Sequence, residues 1–254
     1  MTRRVVISAG AAGIGRALAD RLAAAGARLA VCDIDETAIA RFREDYPDAI
    51  AHVADVTDEA QMAAFLGEVE SRWGGADLVC ANAGTGGPAG PIDELDYQAW
   101  QDCVAANLHG SFLVCRWASR VMKEQKQGVI LITSSTAGLF GYPMRSPYAS
   151  AKWALIGLTK TLAMELGPYG VRVNAICPGA VEGPRMERVL ERESAATGRS
   201  IEETRRMYVN GVSLRSWVTT DDIADMVEYL ASPTAKKISG QVVAIDGHTE
   251  TLVP

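Results

Sequence analysis

The sequence predicts an α/β fold: a doubly wound parallel sheet of about seven strands with helices on both faces. Short apolar runs alternate with helical patterns along the whole chain, and the first run leads directly into a glycine-rich loop. The runs are also nearly continuous in apolar character. Strand–helix alternation marks βαβ units, and strands without polar alternation belong to a sheet covered on both faces.

The first run, Arg4–Ser8, passes into Ser8-Ala9-Gly10-Ala11-Ala12-Gly13-Ile14-Gly15-Arg16 and a helical pattern over Ile14–Ala25. Small residues there let backbone N–H groups approach a pyrophosphate, and a new helix N-terminus favours anions. The literal GxGxxG spacing is absent; position after the first strand carries the reading. The second run, Arg28–Cys32, ends in Asp33-Ile34-Asp35-Glu36 ahead of a helix over Glu36–Asp45. An acidic side chain at that strand end accepts from a ribose 2′-OH and repels a 2′-phosphate, so Asp33 favours NAD over NADP. The alternative is that Asp33 or Asp35 caps the helix. Ala12 offers no basic residue for a 2′-phosphate.

The third run, Ile50–Ala54, is followed by Asp55-Val56 and a helix over Glu59–Trp73; Asp55 reads equally as a turn residue. The fourth, Asp77–Cys80, leads to Asn82-Ala83-Gly84, small neighbours suited to packing near a bound nucleotide. A long helical pattern over Tyr97–Lys123 contains Asn107 and Gly110, poor residues for a helix interior. A break there would free a carbonyl to hold a water; the alternative is a polar interhelical contact. His109 reads as a packing or surface residue. Val129–Thr133, Val171–Ile176 and Val242–Ile245 complete the strands, and Tyr148–Leu166 and Asp221–Leu230 the helices. Ligands of such sheets bind beyond the carboxyl ends of the strands, where these loops begin.

At 254 residues and 48% hydrophobic content, without linker, repeat or charge run, the chain reads as one domain, 1–254. A net charge of −6 argues against a basic nucleic-acid surface, and no apolar run reaches membrane-span length. The N-terminus flows into a strand rather than a leader. The five cysteines form no CxxC pair and the three histidines no ligand spacing, so no metal and a reducing cytoplasm are expected.

Tyr148 and Lys152 stand four apart at the start of a helical pattern, on one face about a turn apart. Tyr148 is the one tyrosine of the chain with a lysine at that spacing. A phenol is a poor base at neutral pH, but a neighbouring ammonium favours the phenolate. A poised proton donor or acceptor is what alcohol oxidation or ketone reduction needs. Ser134 or Ser135, at the end of the preceding strand, would hydrogen-bond the reacting oxygen. The alternative is a chance surface pair.

Taken in order, the Ser8-Ala9-xxx-Gly13-Ile14-Gly15 loop, Asp55, Asn82-Ala83-Gly84, Asn107, Ser135, Tyr148-xxx-Lys152, Asn174 and Pro178-Gly179 resemble the short-chain dehydrogenase/reductase family over essentially the whole chain. The resemblance implies a single Rossmann-like domain binding NAD(P), with a homotetramer or homodimer as the assembly. It selects Ser135, thirteen residues before Tyr148, as the group orienting the substrate oxygen. It implies Tyr148 as acid/base, Lys152 as the nicotinamide-ribose ligand that depresses the phenol's pKa, and Asn107 as holder of a relay water. The cofactor set it implies is Ser8, Gly10, Gly13, Ile14, Gly15, Asp33, Asp55, Val56, Asn82, Ala83, Gly84, Tyr148, Lys152, Pro178, Gly179 and Val181. Three departures stand out: Ala9 replaces the loop's first Gly, Ala81 replaces an Asn, and the run after Pro178-Gly179 lacks a Thr. Either Ala9 tolerates the turn or Gly10 takes it over.

The charged helical stretch 182–212 reads as a substrate-covering lid. Thr85, Gly86, Thr136, Met144, Arg145, Arg185 and Trp217 are the candidate pocket residues. Arg145 and Arg185 would clamp an anionic group unless both are solvated surface residues. The expected activity is NAD-dependent oxidation of a secondary alcohol (polyol, sugar or small hydroxy acid) or reduction of the ketone. The rivals are an NADPH-dependent 3-oxoacyl reductase and a non-catalytic nucleotide-sensing protein.

Overall fold

The computed structural model describes residues 2–250, so the outer ends of the expected 1–254 domain lie outside the described residues. Seven strands form one parallel sheet in the order β3-β2-β1-β4-β5-β6-β7. They are β1 (Arg4–Ser8), β2 (Arg28–Asp33), β3 (Ile50–Val53), β4 (Leu78–Ala81), β5 (Gly128–Thr133), β6 (Val171–Pro178) and β7 (Val242–Ile245). The helices are α1 (Gly13–Ala24), α2 (Glu36–Asp45), α3 (Glu59–Trp73), α4 (Tyr97–Val104), α5 (Gly110–Gln125), α6 (Ser146–Leu166), α7 (Pro184–Thr197), α8 (Ile201–Asn210) and α9 (Thr220–Ala231).

The pleat of β1 explains the two layers. Val5 and Ile7 point to one face and pack with Leu18, Leu22, Phe42 and Val227 of α1, α2 and α9. Val6 points to the other and packs with Phe65, Val114 and Leu155 of α3, α5 and α6. Both faces are buried, which is why the strands carry Val, Ile, Leu, Ala and Cys without alternation. All five cysteines are buried free thiols, so they serve as small apolar residues.

Strand ends differ from the sequence reading by a residue or two, for visible reasons. Asp77, expected inside β4, lies just before it, where its carboxylate accepts from Arg4 N at 2.8 Å and Arg4 Nη2 at 2.6 Å. Several helices begin on side-chain caps: Asp35 on α2, Asp58 on α3, Asp96 on α4 and the Thr219–Asp222 capping box on α9. Helix α1 has no such cap.

The single long helix expected over Tyr97–Lys123 is three pieces. A π-helical turn over Ala105–His109 separates α4 from α5, at the Asn-containing run where helix propensity is weakest. The chain goes outward from β1 through β2 to β3, then returns to place β4 on the other side of β1. That reversal opens a crevice above the carboxyl ends of β1 and β4, the binding location in open parallel sheets.

Candidate active site

The loop after β1 makes its sharp turn at Ala9, with φ 50°, and again at Gly13, with φ 52°. Of the two expectations for this loop, tolerance at Ala9 is therefore the one observed. An L-residue in the left-handed region is strained by about 1–2 kcal/mol. Gly10 serves differently: a Cβ there would lie 2.7 Å from Val31 Cγ1. Gly15 admits no side chain either, because its Cβ would fall 1.9 Å from Ala9 O. Gly13 faces open space, with no atom within 4 Å of where a Cβ would stand. The half-buried Ile14 packs into the core beneath.

Asp33 and Asp35 divide the roles left open by the sequence. Asp35 Oδ1 caps α2 by accepting from Ala38 N at 3.0 Å. Asp33, 8% exposed at the end of β2, accepts from Ala11 N and from Asp35 N, both at 3.2 Å. Its carboxylate thus sits against the glycine loop. Arg16, a nearby cation, is engaged by Asp20 and Asp45 and lies over Phe42 and Tyr46. Asp55 forms a turn, its Oδ1 accepting from Thr57 N and Thr57 Oγ1 at 2.8 Å. Val56 packs on Gly110, where a Cβ would lie 2.7 Å from Val56 Cγ2.

Asn82 staples three strand ends together. Its Nδ2 donates to Ser8 O at 3.3 Å and Ala9 O at 3.2 Å, and its Oδ1 accepts from Thr133 Oγ1 at 3.2 Å. The buried Ser8 Oγ accepts from Asn82 N and Ala83 N at 3.0 and 3.1 Å. Asn174, also matched in the sequence, is structural: its amide bonds Ile238 O and Gln241 N to fix the entry into β7.

At the centre, Lys152 is 2% exposed, donates to Thr133 O at 2.8 Å, and places Nζ 5.7 Å from the Tyr148 ring centroid. Burial, helped by the like charge of Arg185, brings its pKa down to about 7. Asn107 is fully buried in the π turn, with Nδ2 donating to Thr85 O at 2.9 Å and Cys103 O at 2.8 Å. Its Oδ1 is a buried acceptor without a protein partner among the described residues. Gly84 lets these groups converge, since a Cβ there would be 2.5 Å from Asn107 Oδ1 and 3.3 Å from Lys152 Nζ. The carbonyl expected to be freed at Asn107 accepts from Ser111 Oγ at 2.8 Å, so it already has a side-chain partner.

The two serines separate as well. Ser134 is buried and its hydroxyl donates to Lys152 O at 2.8 Å, a structural bond joining β5 to α6. Ser135 is half-buried and its Oγ accepts from Ala137 N at 3.1 Å, leaving its own proton available. The short helix it caps holds Thr136, which is buried.

The substrate side brings a correction. Arg145 is not a solvated surface residue: it is 4% exposed, its Nη2 donates to Gly86 O at 2.8 Å, and its guanidinium lies 5.6 Å from the Tyr148 ring centroid. Nor is it a bare clamp, because Nη1 faces Glu193 Oε1 of α7 at 3.6 Å. The same oxygen accepts from Tyr142 and Tyr208 hydroxyls at 2.9 and 2.7 Å. Burial and the Glu193 charge push both phenols' pKa upward, so they stay protonated donors. Trp217 stacks on Tyr208, with centroids 6.0 Å apart. Arg185 is exposed, as the surface alternative held. Met144 adopts φ 63° and its carbonyl accepts from Gly90 N at 2.9 Å, tying the loop before α6 to the segment after β4. Thr85 is exposed, its carbonyl taken by Asn107.

Glu193, Tyr142 and Tyr208 are not singled out by the sequence. A signal is nevertheless there: Met186, Leu190 and Glu193 form the buried stripe of α7, so an acid occupies a core position. Beyond β6, Gly179 packs on Asp246, where a Cβ would fall 2.8 Å from Asp246 Cβ, and its amide donates to Ile245 O at 3.0 Å. Val181 pairs with Val218 through the amides of Val218 and Glu182, which keeps Val181's own N–H and C=O outside that bridge. Pro178 ends β6 beside it.

A family model described as enoyl-(acyl carrier protein) reductase matches residues 9–248. Levodione reductase of Leifsonia aquatica is 36% identical over 251 residues, 96% of this chain and 93% of that protein. The structure of an NAD+-bound xylitol dehydrogenase superposes with a TM-score of 0.91 at 30% identity, covering 96% of this chain and 98% of the other. That of a point variant of actinorhodin polyketide ketoreductase with NADPH gives 0.92 at 30% identity, covering 97% and 96%. With the match spanning nearly every element described above, the chain belongs to the short-chain dehydrogenase/reductase family.

Proposed function

We propose that the protein transfers hydride between NAD and a secondary alcohol or its ketone, with Tyr148 as the acid/base. The observation that carries this reading is the buried Lys152, held by Thr133 O against the ring of Tyr148. Buried groups with strongly shifted pKa values cluster at functional sites.

The residues present fit a dinucleotide. Helix α1 begins without a side-chain cap beside open space at Gly13, which suits a pyrophosphate. Ser8, Gly10, Gly13, Ile14 and Gly15 would form that side of the site, and Asp33 would accept from a ribose diol. Asp55, Val56, Asn82, Ala83 and Gly84 would line the nucleotide, and Pro178, Gly179 and Val181 would offer backbone to the carboxamide. When bound, the nicotinamide supplies the hydride acceptor or donor.

The chain's own groups then manage the proton. Ser135 donates its hydroxyl proton to the substrate oxygen, while its lone pairs serve Ala137 N. Tyr148 takes the alcohol proton, or returns it to the ketone, at that same oxygen. Lys152 sets its ammonium, when protonated, beside the phenol ring and would hold the ribose of the nicotinamide. With its pKa near 7 it can exchange a proton at working pH, and Asn107 beside it provides the acceptor for a relay.

Asp33 supports NAD as the cofactor: a 2′-phosphate would meet a carboxylate already fixed by two backbone amides. The rival reading, NADPH-dependent 3-oxoacyl reduction, draws on the NADPH-containing relative and is opposed by Asp33. Residues 182–212 act as a lid over a single 1–254 domain, supported by Glu193 and Tyr208 both meeting the Tyr142 hydroxyl of the loop before α6. Exposed Phe112, Trp153 and Met164 on α5 and α6 support a homotetramer or homodimer. Buried free thiols fit a cytoplasmic setting, and no helix of the described residues is long and apolar enough to cross a membrane.

The test is NADH formation across a panel of secondary alcohols with both cofactors. The expected result is turnover that Tyr148→Phe abolishes. Undiminished turnover in that variant would remove Tyr148 from the chemistry.

A further inference from the structure

The substrate side of the site contains a buried ion pair that is oddly made. Arg145 Nη1 and Glu193 Oε1 are 3.6 Å apart, with side chains 5% and 6% exposed. Charge-assisted pairs made for stability close to about 2.7–2.9 Å, often with two parallel bonds. Here the second half of each group is left over: Arg145 Nε and Glu193 Oε2 are both buried without a protein partner among the described residues. Loose buried pairs are weak stabilisers, and replacing them with apolar groups is often favourable.

The surroundings hold the pair in place beside Tyr148. Gly86 O fixes one end of the guanidinium at 2.8 Å, and the Tyr148 ring lies 5.6 Å away, so Arg145 is anchored at the reacting phenol. Two tyrosine hydroxyls, 2.6 Å from each other, converge on Glu193 Oε1. Glu193 is thereby fixed by residues of both α8 and the loop before α6. One donor and one acceptor remain, carried by opposite charges that cancel.

We propose that Arg145 and Glu193 form a charge-neutral polar wall of the substrate site that receives a hydroxyl or carbonyl group of an uncharged substrate and refuses a carboxylate. This rests on the alcohol/ketone reading above and narrows it, setting aside the hydroxy acids. A hydroxyl both donates and accepts, so it satisfies one leftover atom of each kind. A carboxylate accepts only; it would find Arg145 already neutralised and would face Glu193 across a low-dielectric gap. The other cations near the site are Lys152, which is buried and tied to Thr133 O, and Arg185, which is exposed and screened by solvent.

The experiment compares kcat/KM for matched alcohols that differ by a carboxylate for a hydroxymethyl group. The first pairs are 3-hydroxybutyrate against 1,3-butanediol and lactate against 1,2-propanediol; the best alcohol of the panel and its carboxylate counterpart follow. Wild type should favour the neutral member by about tenfold or more, the factor that corresponds to about 1.4 kcal/mol. Glu193→Gln uncovers the Arg145 charge and should shrink that ratio by about the same factor, whereas Arg145→Met should not. A merely structural role would lower both rates and leave the ratio alone.

A wild-type preference for the carboxylate overturns the proposal without any variant, as does an unchanged ratio in a folded Glu193→Gln protein. Equal turnover of both members overturns this proposal but leaves the oxidoreductase reading standing. Turnover of no alcohol with either cofactor removes both.

Discussion

Lys152→Met should make the protein's stability respond differently to pH, by an amount the burial of Lys152 fixes. The amine's ordinary value of 10.5 falls to about 7 in the folded protein, with burial the largest cause and Arg185 the next. A depressed folded-state pKa means that the unfolded chain holds one more proton than the folded protein between those two values. Stability therefore rises with pH through that window and is lost as pH falls toward 7. The full slope is about 1.4 kcal/mol per pH unit. At pH 7 the folded amine is half-protonated and the slope is half of that, so the gain from pH 7 to pH 9 is about 2 kcal/mol. Lys152→Met removes this contribution while keeping a chain of similar length in the same slot. Urea unfolding of both unliganded proteins at pH 7 and pH 9 isolates the effect, because the remaining titrating groups cancel in the difference. The variant's advantage over wild type should shrink by about 2 kcal/mol between the two pH values. Parallel pH dependence would refute the claim that this amine is folded into a site that resists its charge.

Three further outcomes follow from individual contacts. Asp33→Ala should raise the NADP-to-NAD ratio of kcat/KM by about tenfold or more, read from paired cofactor titrations, since it removes the carboxylate that opposes a 2′-phosphate. Asn107→Ala strips the donor from two carbonyls, Thr85 O and Cys103 O, and should lower stability by about 1–3 kcal/mol in urea unfolding while slowing turnover at unchanged cofactor affinity. Ala9→Gly relieves a left-handed alanine and should stabilise by about 0.5–1 kcal/mol once glycine's greater chain entropy is subtracted, visible as a raised unfolding midpoint.

The sheet was legible because its strands are buried on both faces, and such strands declare themselves as apolar runs. Helix starts were legible where Asp35, Asp58, Asp96 or Thr219 caps them, and the π turn was foreshadowed by Asn107 in a helix interior. Of the proposed catalytic group, the i,i+4 spacing of Tyr148 and Lys152 foreshadowed the amine beside the phenol ring, and Asn107 meets Lys152 where Gly84 leaves room for both. What sequence concealed were roles decided by partners distant in the chain. Arg145 was left between an anion clamp and a surface residue because Glu193, which balances its charge, lies 48 positions later on a different helix. Ser134 and Ser135 are chemically identical until the carbonyl of Lys152 claims one of them. Ala9 shows the reverse: a departure from the family loop that the backbone accepts as strain rather than as a new path.

The most direct test follows an isotope. An alcohol carrying deuterium at the carbinol carbon, oxidised by the wild-type protein with NAD, should yield reduced cofactor heavier by one mass unit, with Tyr148→Phe slowing that transfer by about 10²–10⁴-fold. Unlabelled reduced cofactor, or labelled product formed by the variant at the wild-type rate, would contradict hydride transfer governed by this tyrosine.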